Sequence, residues 1–217
     1  MAGILKIDPL HPETELLDQA VQILMQGGVV AYPTETFYGL GVNAKNEKAV
    51  ERLFSVKGRD FRNPVPVIIG DVSGLDQAVT EIPAVGRELI GRFWPGPLTL
   101  IFEASPIIPS RLTAGTGKIG IRVSSHPIAR LLARKLGSPL TSTSANRSGQ
   151  RECITAREVL ENLGDDLDLI IDGGETPGGK GSTILDITRT PPVILRTGVI
   201  DNFQFLFRGQ LFRGQDT

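Results

Sequence analysis

Three features of this 217-residue chain predict an α/β fold, a sheet of mixed strand direction with helices packed on it. Segments with helical spacing alternate with short apolar segments along most of the length. Clusters of Gly, Pro and Ser follow many of the apolar segments. The 40% hydrophobic content is enough for the core of one large domain. Interleaving of this kind lets helices cover a sheet, and it leaves the glycine- and serine-rich loops at strand ends, where open α/β sheets bind ligands.

The elements follow in order. Leu16, Leu17, Ala20, Val21 and Leu24 form one stripe and predict a helix from Glu13 to Gln26, with Gly27 as its left-handed stop. Val29 to Tyr32 reads as a strand. Asn46 suits the N-cap of a helix from Glu47 to about Val56 that buries Val50, Leu53 and Phe54. Val65 to Ile69 is the next strand. Pro83 opens a helix through Phe93, the Trp94-Pro95-Gly96-Pro97 turn makes a corner, and Leu98 to Phe102 is a continuous apolar strand. In the strand Ile119 to Val123, Ile121 and Val123 share a face and Arg122 points to the other. Pro127 to Leu136 is a helix ended by Gly137, and Leu140 leads into a Ser/Thr-rich turn. Thr155 and Glu158 have the spacing of a capping box for a helix through Leu163. Leu169 to Ile171, Thr183 to Ile187 and Val193 to Leu195 complete the strands.

Composition narrows the partners. The 23 basic and 24 acidic residues give a net charge of -1, so no global field collects nucleic acid and any anion site must be local. One cysteine and two histidines exclude a disulfide framework and the common His/Cys zinc clusters. No apolar run is long enough to span a bilayer, and a cytoplasmic protein is expected. Phe207-Arg208-Gly209-Gln210 recurs as Phe212-Arg213-Gly214-Gln215; two such copies do not make a repeat protein, and residues 201–217 are set apart as a tail.

Four segments carry chemistry. Tyr32-Pro33-Thr34-Glu35-Thr36-Phe37-Tyr38-Gly39-Leu40 is a hydroxyl-rich turn, followed by Lys57-Gly58-Arg59. On an extended segment Lys57 and Arg59 would point the same way and grip one anion, phosphate or carboxylate. Glu35 either orients a donor or faces solvent. Thr141 to Gly149 is dense in hydroxyl and amide groups; it reads as an ordinary loop or as a set of neutral donors and acceptors, and it lacks the Gly-x-Ser-x-Gly elbow of a serine hydrolase. Gly174, Gly179 and Lys180 imitate a P-loop, but Gly181 stands where the hydroxyl belongs and a strand follows where a helix is needed. The loop can still present N–H groups to an anion as a nest, with Ser182 as a side-chain donor. Arg122 and Arg196 sit in or at the end of apolar strands and need anionic partners, from the protein or from a ligand.

Taken together, Pro33 to Leu40, Lys57-Gly58-Arg59, Phe93-Trp94-Pro95-Gly96-Pro97-Leu98-Thr99, Ser144-Ala145-Asn146-Arg147-Ser148-Gly149, Gly181-Ser182-Thr183 and Leu195-Arg196-Thr197-Gly198 resemble the YrdC-like family, whose best-known members are threonylcarbamoyl-AMP synthases. The resemblance runs from about Gly27 to Ile200. It implies a YrdC-like twisted open mixed sheet with flanking helices and a concave, positively lined cleft, with 1–200 as the catalytic domain and 201–217 as a C-terminal tail too short for a second domain. It also implies the reaction of L-threonine, bicarbonate and ATP to threonylcarbamoyl-AMP and pyrophosphate, for later modification of tRNA adenosine 37. Mg2+ would enter with ATP, with no metal ligands expected from the protein.

By the same resemblance Lys57, Arg59, Ser144 and Asn146 form the catalytic tetrad, and Thr36, Arg122, Ser142 and Ser182 contact threonine. Asn63, Thr116, Arg151 and Arg196 would lie toward the nucleotide together with Lys57, Arg59 and Ser144. The segment Gln150 to Thr155 departs from the family's Ser-Pro-Thr pattern. For the synthase, tRNA or tRNA-modification proteins would be partners downstream; two other readings share the fold, an RNA-binding module that holds structured RNA on the concave face and a domain that forms carbamoyl adenylate from carbamoyl phosphate.

Overall fold

The computed structural model describes residues 2–201; of the predicted tail at 201–217, all but Asp201 lies outside the described residues. The alternation read from the sequence appears as eleven strands and six α-helices among the described residues, with one short 3-10 turn at Val72–Gly74. The strands are β1 (Gly3–Lys6), β2 (Val30–Pro33), β3 (Tyr38–Gly41), β4 (Val67–Ile68), β5 (Leu98–Glu103), β6 (Lys118–Arg122), β7 (Leu140–Thr141), β8 (Thr143–Ser144), β9 (Leu169–Asp172), β10 (Thr183–Asp186) and β11 (Val193–Arg196). The helices are α1 (Thr14–Met25), α2 (Glu47–Lys57), α3 (Leu75–Ala78), α4 (Ala84–Phe93), α5 (Pro127–Leu136) and α6 (Ala156–Leu163).

The mixed α/β architecture is as predicted, and its hydrogen bonding divides it into two sheets. The first has the order β1-β9-β2-β3-β8 and the second β11-β10-β5-β6-β4-β7. Each combines parallel and antiparallel pairs: β2 runs parallel to β9 and antiparallel to β3, and β6 runs antiparallel to β5 and parallel to β4. The chain leaves the second sheet at Thr141 and joins the first at Thr143, so Ser142 is the crossing point between them.

Period-two alternation from Val29 through Tyr32, at the start of β2, divides the core. Val30 and Tyr32 pack with α1 and α5 on one face, whereas Val29 and Ala31 join the larger cluster with α2 and α6 on the other. Helix α1 buries Leu17, Ala20, Val21 and Leu24, and Gly27 follows it at φ +88°, a conformation that favours glycine. The Asn46 side chain accepts the Ala49 N–H at 3.2 Å and starts α2. Thr155 and Glu158 make the reciprocal capping box of α6.

Strand β3 escapes sequence reading because Gly39 and Gly41 lower its strand propensity. Their lack of side chains is used here: a Cβ on Gly41 would lie 2.7 Å from both the Tyr32 ring and Leu140. Tyr32 occupies that space and donates its hydroxyl to the Thr141 carbonyl at 2.8 Å, tying β2 to the crossing segment. Strand β1 and helix α3 were likewise not foreseen, being four residues each with little periodicity to read.

Candidate active site

A cleft of about 290 Å³ opens where the crossing segment Ser142 to Ser144 meets the Thr34 to Gly39 turn. The turn is shaped by its own hydroxyls. Thr34 Oγ1 donates to the Phe37 carbonyl at 2.7 Å and accepts the Thr36 N–H at 3.2 Å, and the two threonine hydroxyls lie 3.1 Å apart. Both threonines are buried and face the cleft. Behind them the Gly178 N–H is donated to the Thr36 carbonyl at 2.8 Å and the Gly174 N–H to Asp172 Oδ1 at 3.1 Å. The Gly178 amide is therefore spent on holding the turn and the Gly174 amide on Asp172, so these two are not open to an anion.

Arg122 faces the cleft from β6, as the alternation predicted, while Ile121 and Val123 pack into the core. It donates to Glu35 Oε1 at 2.8 Å and to Ser142 Oγ at 3.3 Å, and the second Glu35 oxygen accepts from the Ser124 hydroxyl. Glu35, which the sequence left between orienter and solvent, is thus an orienter. Two of the five guanidinium N–H groups are engaged in these bonds, leaving donors for a ligand.

The reading of Lys57 and Arg59 as parallel cations on an extended segment is overturned. Lys57 ends α2 and Gly58 turns the chain at φ +56°, so the two side chains leave in different directions. Lys57 Nζ donates to the carbonyls of Ser144 at 2.6 Å and Asn146 at 2.7 Å, and to Asn146 Oδ1 at 3.2 Å. An ammonium has three protons, and all three are placed. Asn146 Oδ1 also accepts from Ser144 Oγ at 2.6 Å, and the Ser148 N–H is donated to the Lys57 carbonyl at 2.9 Å. Lys57 and Asn146 are buried and outside the cleft walls; they form a clasp that positions Ser144, which does line it. Burial, followed by the nearby Arg59 charge, pushes the Lys57 ammonium down to about 8.

Arg59 lines the cleft, steadied by the carbonyls of Asn63 at 3.2 Å and Pro64 at 2.9 Å. Arg196 also lines it, donating to the Ser182 carbonyl at 2.8 Å and to Ser182 Oγ at 3.1 Å, while Ser182 Oγ lies 2.9 Å from Thr99 Oγ1. Burial lowers both guanidinium pKa values, and Arg122 adds to the effect at Arg196. Both stay charged, since arginine does not lose its proton in proteins.

Seven predicted residues therefore share the cleft: Thr36, Arg59, Arg122, Ser142, Ser144, Ser182 and Arg196. Asn63, Thr116 and Arg151 are not among its walls. Asn63 enters through its carbonyl alone, and the Thr116 hydroxyl is donated to the Thr113 carbonyl at 2.6 Å within its own turn. Arg151 is exposed. Sequence reading missed Thr34, Thr99, Thr143 and Glu152 as wall residues. Thr34 and Thr143 lay inside flagged hydroxyl-rich segments and Thr99 ended the quoted Phe93 to Thr99 motif without a role, whereas nothing local singled out Glu152.

A cleft with guanidinium groups, hydroxyls and a clasped serine loop at the junction of two mixed sheets suits an anionic substrate. The family model of Sua5, YciO and YrdC, described as telomere recombination, matches residues 22–198, and the chain belongs to this family. The threonylcarbamoyl-AMP synthase of Pyrococcus abyssi is 42% identical over 179 residues, covering 82% of this chain and 53% of that protein. The threonylcarbamoyl-AMP synthase of Bacillus subtilis is 41% identical over 198 residues, covering 91% of this chain and 57% of that one. The chain thus spans about half the length of these relatives. The crystal structure of P. abyssi Sua5 complexed with L-threonine superposes with a TM-score of 0.90 at 37% identity, covering 96% of this chain and 62% of that one.

Proposed function

We propose that this chain carries the adenylate-forming activity of a threonylcarbamoyl-AMP synthase. The observation that carries the reading is one cleft in which hydroxyls around Arg122 stand beside two further guanidinium groups, Arg59 and Arg196. The names of the relatives and the L-threonine complex of P. abyssi Sua5 support it.

The reaction begins as the threonine amine attacks the carbon supplied by bicarbonate, forming a carbamate with loss of water and a proton. The carbamate oxygen then attacks the α-phosphorus of ATP; a new P–O bond forms and the bond to pyrophosphate breaks, its electron pair leaving with pyrophosphate. No protein nucleophile is needed, so the residues act by placement and charge. The free N–H groups of Arg122 hold the threonine carboxylate, with the hydroxyls of Thr34, Thr36, Ser142 and Ser182 around the rest of the amino acid. Arg59 and Arg196 offset the charge that develops on phosphoryl oxygens. Lys57 and Asn146 hold the wall that presents Ser144.

Mg2+ enters as part of the ATP substrate complex. Among the described residues no group of three or more His, Cys, Asp or Glu side chains could hold a metal; Mg2+ commonly takes most of its ligands from phosphates and waters. The product serves threonylcarbamoyl modification of tRNA adenosine 37, placing tRNA and its modification proteins downstream and the cytoplasm as the compartment. No helix among the described residues is long and apolar enough to cross a membrane.

The test is pyrophosphate release from ATP and bicarbonate with each amino acid in turn. Stimulation by threonine above serine and above no amino acid is expected; equal release in all three overturns the reading.

A further inference from the structure

Two carboxylates serve the cleft, one from behind its walls and one, Glu152, on them. Glu35 is committed to Arg122 and Ser124. Glu152 lines the cleft together with Arg59 and Arg196, yet among the described residues it enters no ion pair or side-chain hydrogen bond. It lies close enough for its charge to favour the charged forms of both Lys57 and Arg196. A lone acidic group beside two guanidinium groups is a poor choice for bare phosphates, because like charges repel over such distances. It suits a phosphate that arrives with a cation. Mg2+ commonly takes one or two protein carboxylates and completes its shell with phosphate oxygens and waters.

Local structure fixes where this carboxylate stands. Asn146 Nδ2 donates to the Gln150 carbonyl at 2.5 Å, and the Tyr38 N–H is donated to the Cys153 carbonyl at 2.9 Å, so the backbone is tied on both sides of Glu152. Cys153, its neighbour, is buried in the core. The side chain at position 152 therefore projects from an anchored strap.

We propose that Glu152 is the protein's ligand to the divalent cation that accompanies the nucleotide triphosphate in this cleft. The proposal rests on the adenylate-forming reading above and adds a metal-contacting residue to it. It also separates two kinds of charge in one cleft: the arginines meet phosphate oxygens, and Glu152 meets the ion those oxygens carry.

Calorimetric titration of ATP, once with Mg2+ and once with EDTA, distinguishes the alternatives in wild type and Glu152→Gln. The substitution keeps size and removes the charge, and the exposed position tolerates it. The expected result is affinity for Mg2+–ATP lowered on the order of tenfold, the lower end of what metal sites lose with a supporting group, and affinity for metal-free ATP unchanged or raised. Equal affinities for wild type and variant in both titrations, tightening of both, or equal weakening of both overturns the proposal while leaving the adenylate-forming reading in place. Failure of the wild-type protein to bind ATP in either titration overturns that reading, and the proposal with it.

Discussion

Two buried cations support the cleft, and they are neutralised in different ways. Arg122 faces a full carboxylate, with both side chains at most 12% exposed. Lys57 faces two backbone carbonyls and an amide oxygen. A carboxylate cancels the charge it holds, whereas carbonyl dipoles fix a cation's position and leave most of its charge in place. The difference shows in Lys57, whose ammonium is pushed down to about 8 by its burial. One arrangement builds a neutral platform that still has donors to offer a ligand; the other builds a rigid wall around a charge that is costly to keep.

The contrast is most easily broken at Glu35. In Glu35→Ala the buried guanidinium loses its counter-charge, and a loss of about 3 kcal/mol is expected in urea unfolding, the low end for a broken buried pair because the cleft admits water. Adding Arg122→Met should recover much of it. A double variant as unstable as the single one would mean that the carboxylate matters for shape rather than charge.

Lys57→Met should cost less, about 2 kcal/mol, because it orphans carbonyls but also removes a desolvated charge. Turnover should fall more than stability, since Ser144 loses its support. The pH dependence sharpens the point. The folded pKa of about 8 lies below the ordinary 10.5. Between those values the unfolded chain keeps the proton that the folded chain has lost, so the Lys57 contribution to stability rises with pH across that window and is lost as pH falls through 8. Over the same window the clasp weakens, for a neutral amine has two protons for three acceptors. Thermal unfolding from pH 7 to 10.5 should therefore show an upward contribution in wild type that is absent in Lys57→Met.

The smallest effect is expected at the far end of the same helix. Asn46→Ala removes the cap of α2 and should cost about 1 kcal/mol with little change in turnover. A large loss of turnover instead would mean that the clasp depends on the whole helix being held in register.

Local signals were legible in the sequence, and partnerships across the chain were not. Asn46, Gly27, Thr155 with Glu158, and the outward face of Arg122 each follow from a few neighbouring residues, and each is found as read. Lys57 was misread because periodicity alone does not say whether α2 stops before or after it; the stop is set by Gly58 in the left-handed region. Its burial depends on a loop nearly ninety positions away. The division into two sheets was hidden in the same way, since the crossing at Ser142 is visible only from which strands β7 and β8 choose as partners. Resemblance brought together residues that local patterns could not connect, but it did not distinguish Arg59, which faces the cleft, from Lys57, which holds the wall behind it.

The clasp also bears on the order in which the molecule can assemble. Its bonds join residues 87 and 89 positions apart, and the Arg122 to Glu35 pair also spans 87. Contacts of such separation form late, after the entropy of closing long loops has been met. During synthesis α2 leaves the ribosome well before the loop at Ser144, and until that loop has emerged the Lys57 ammonium has none of its three acceptors in place. The turn at Thr34 to Gly39 can take shape locally, but the cleft is complete only with the long-range closures of the fold.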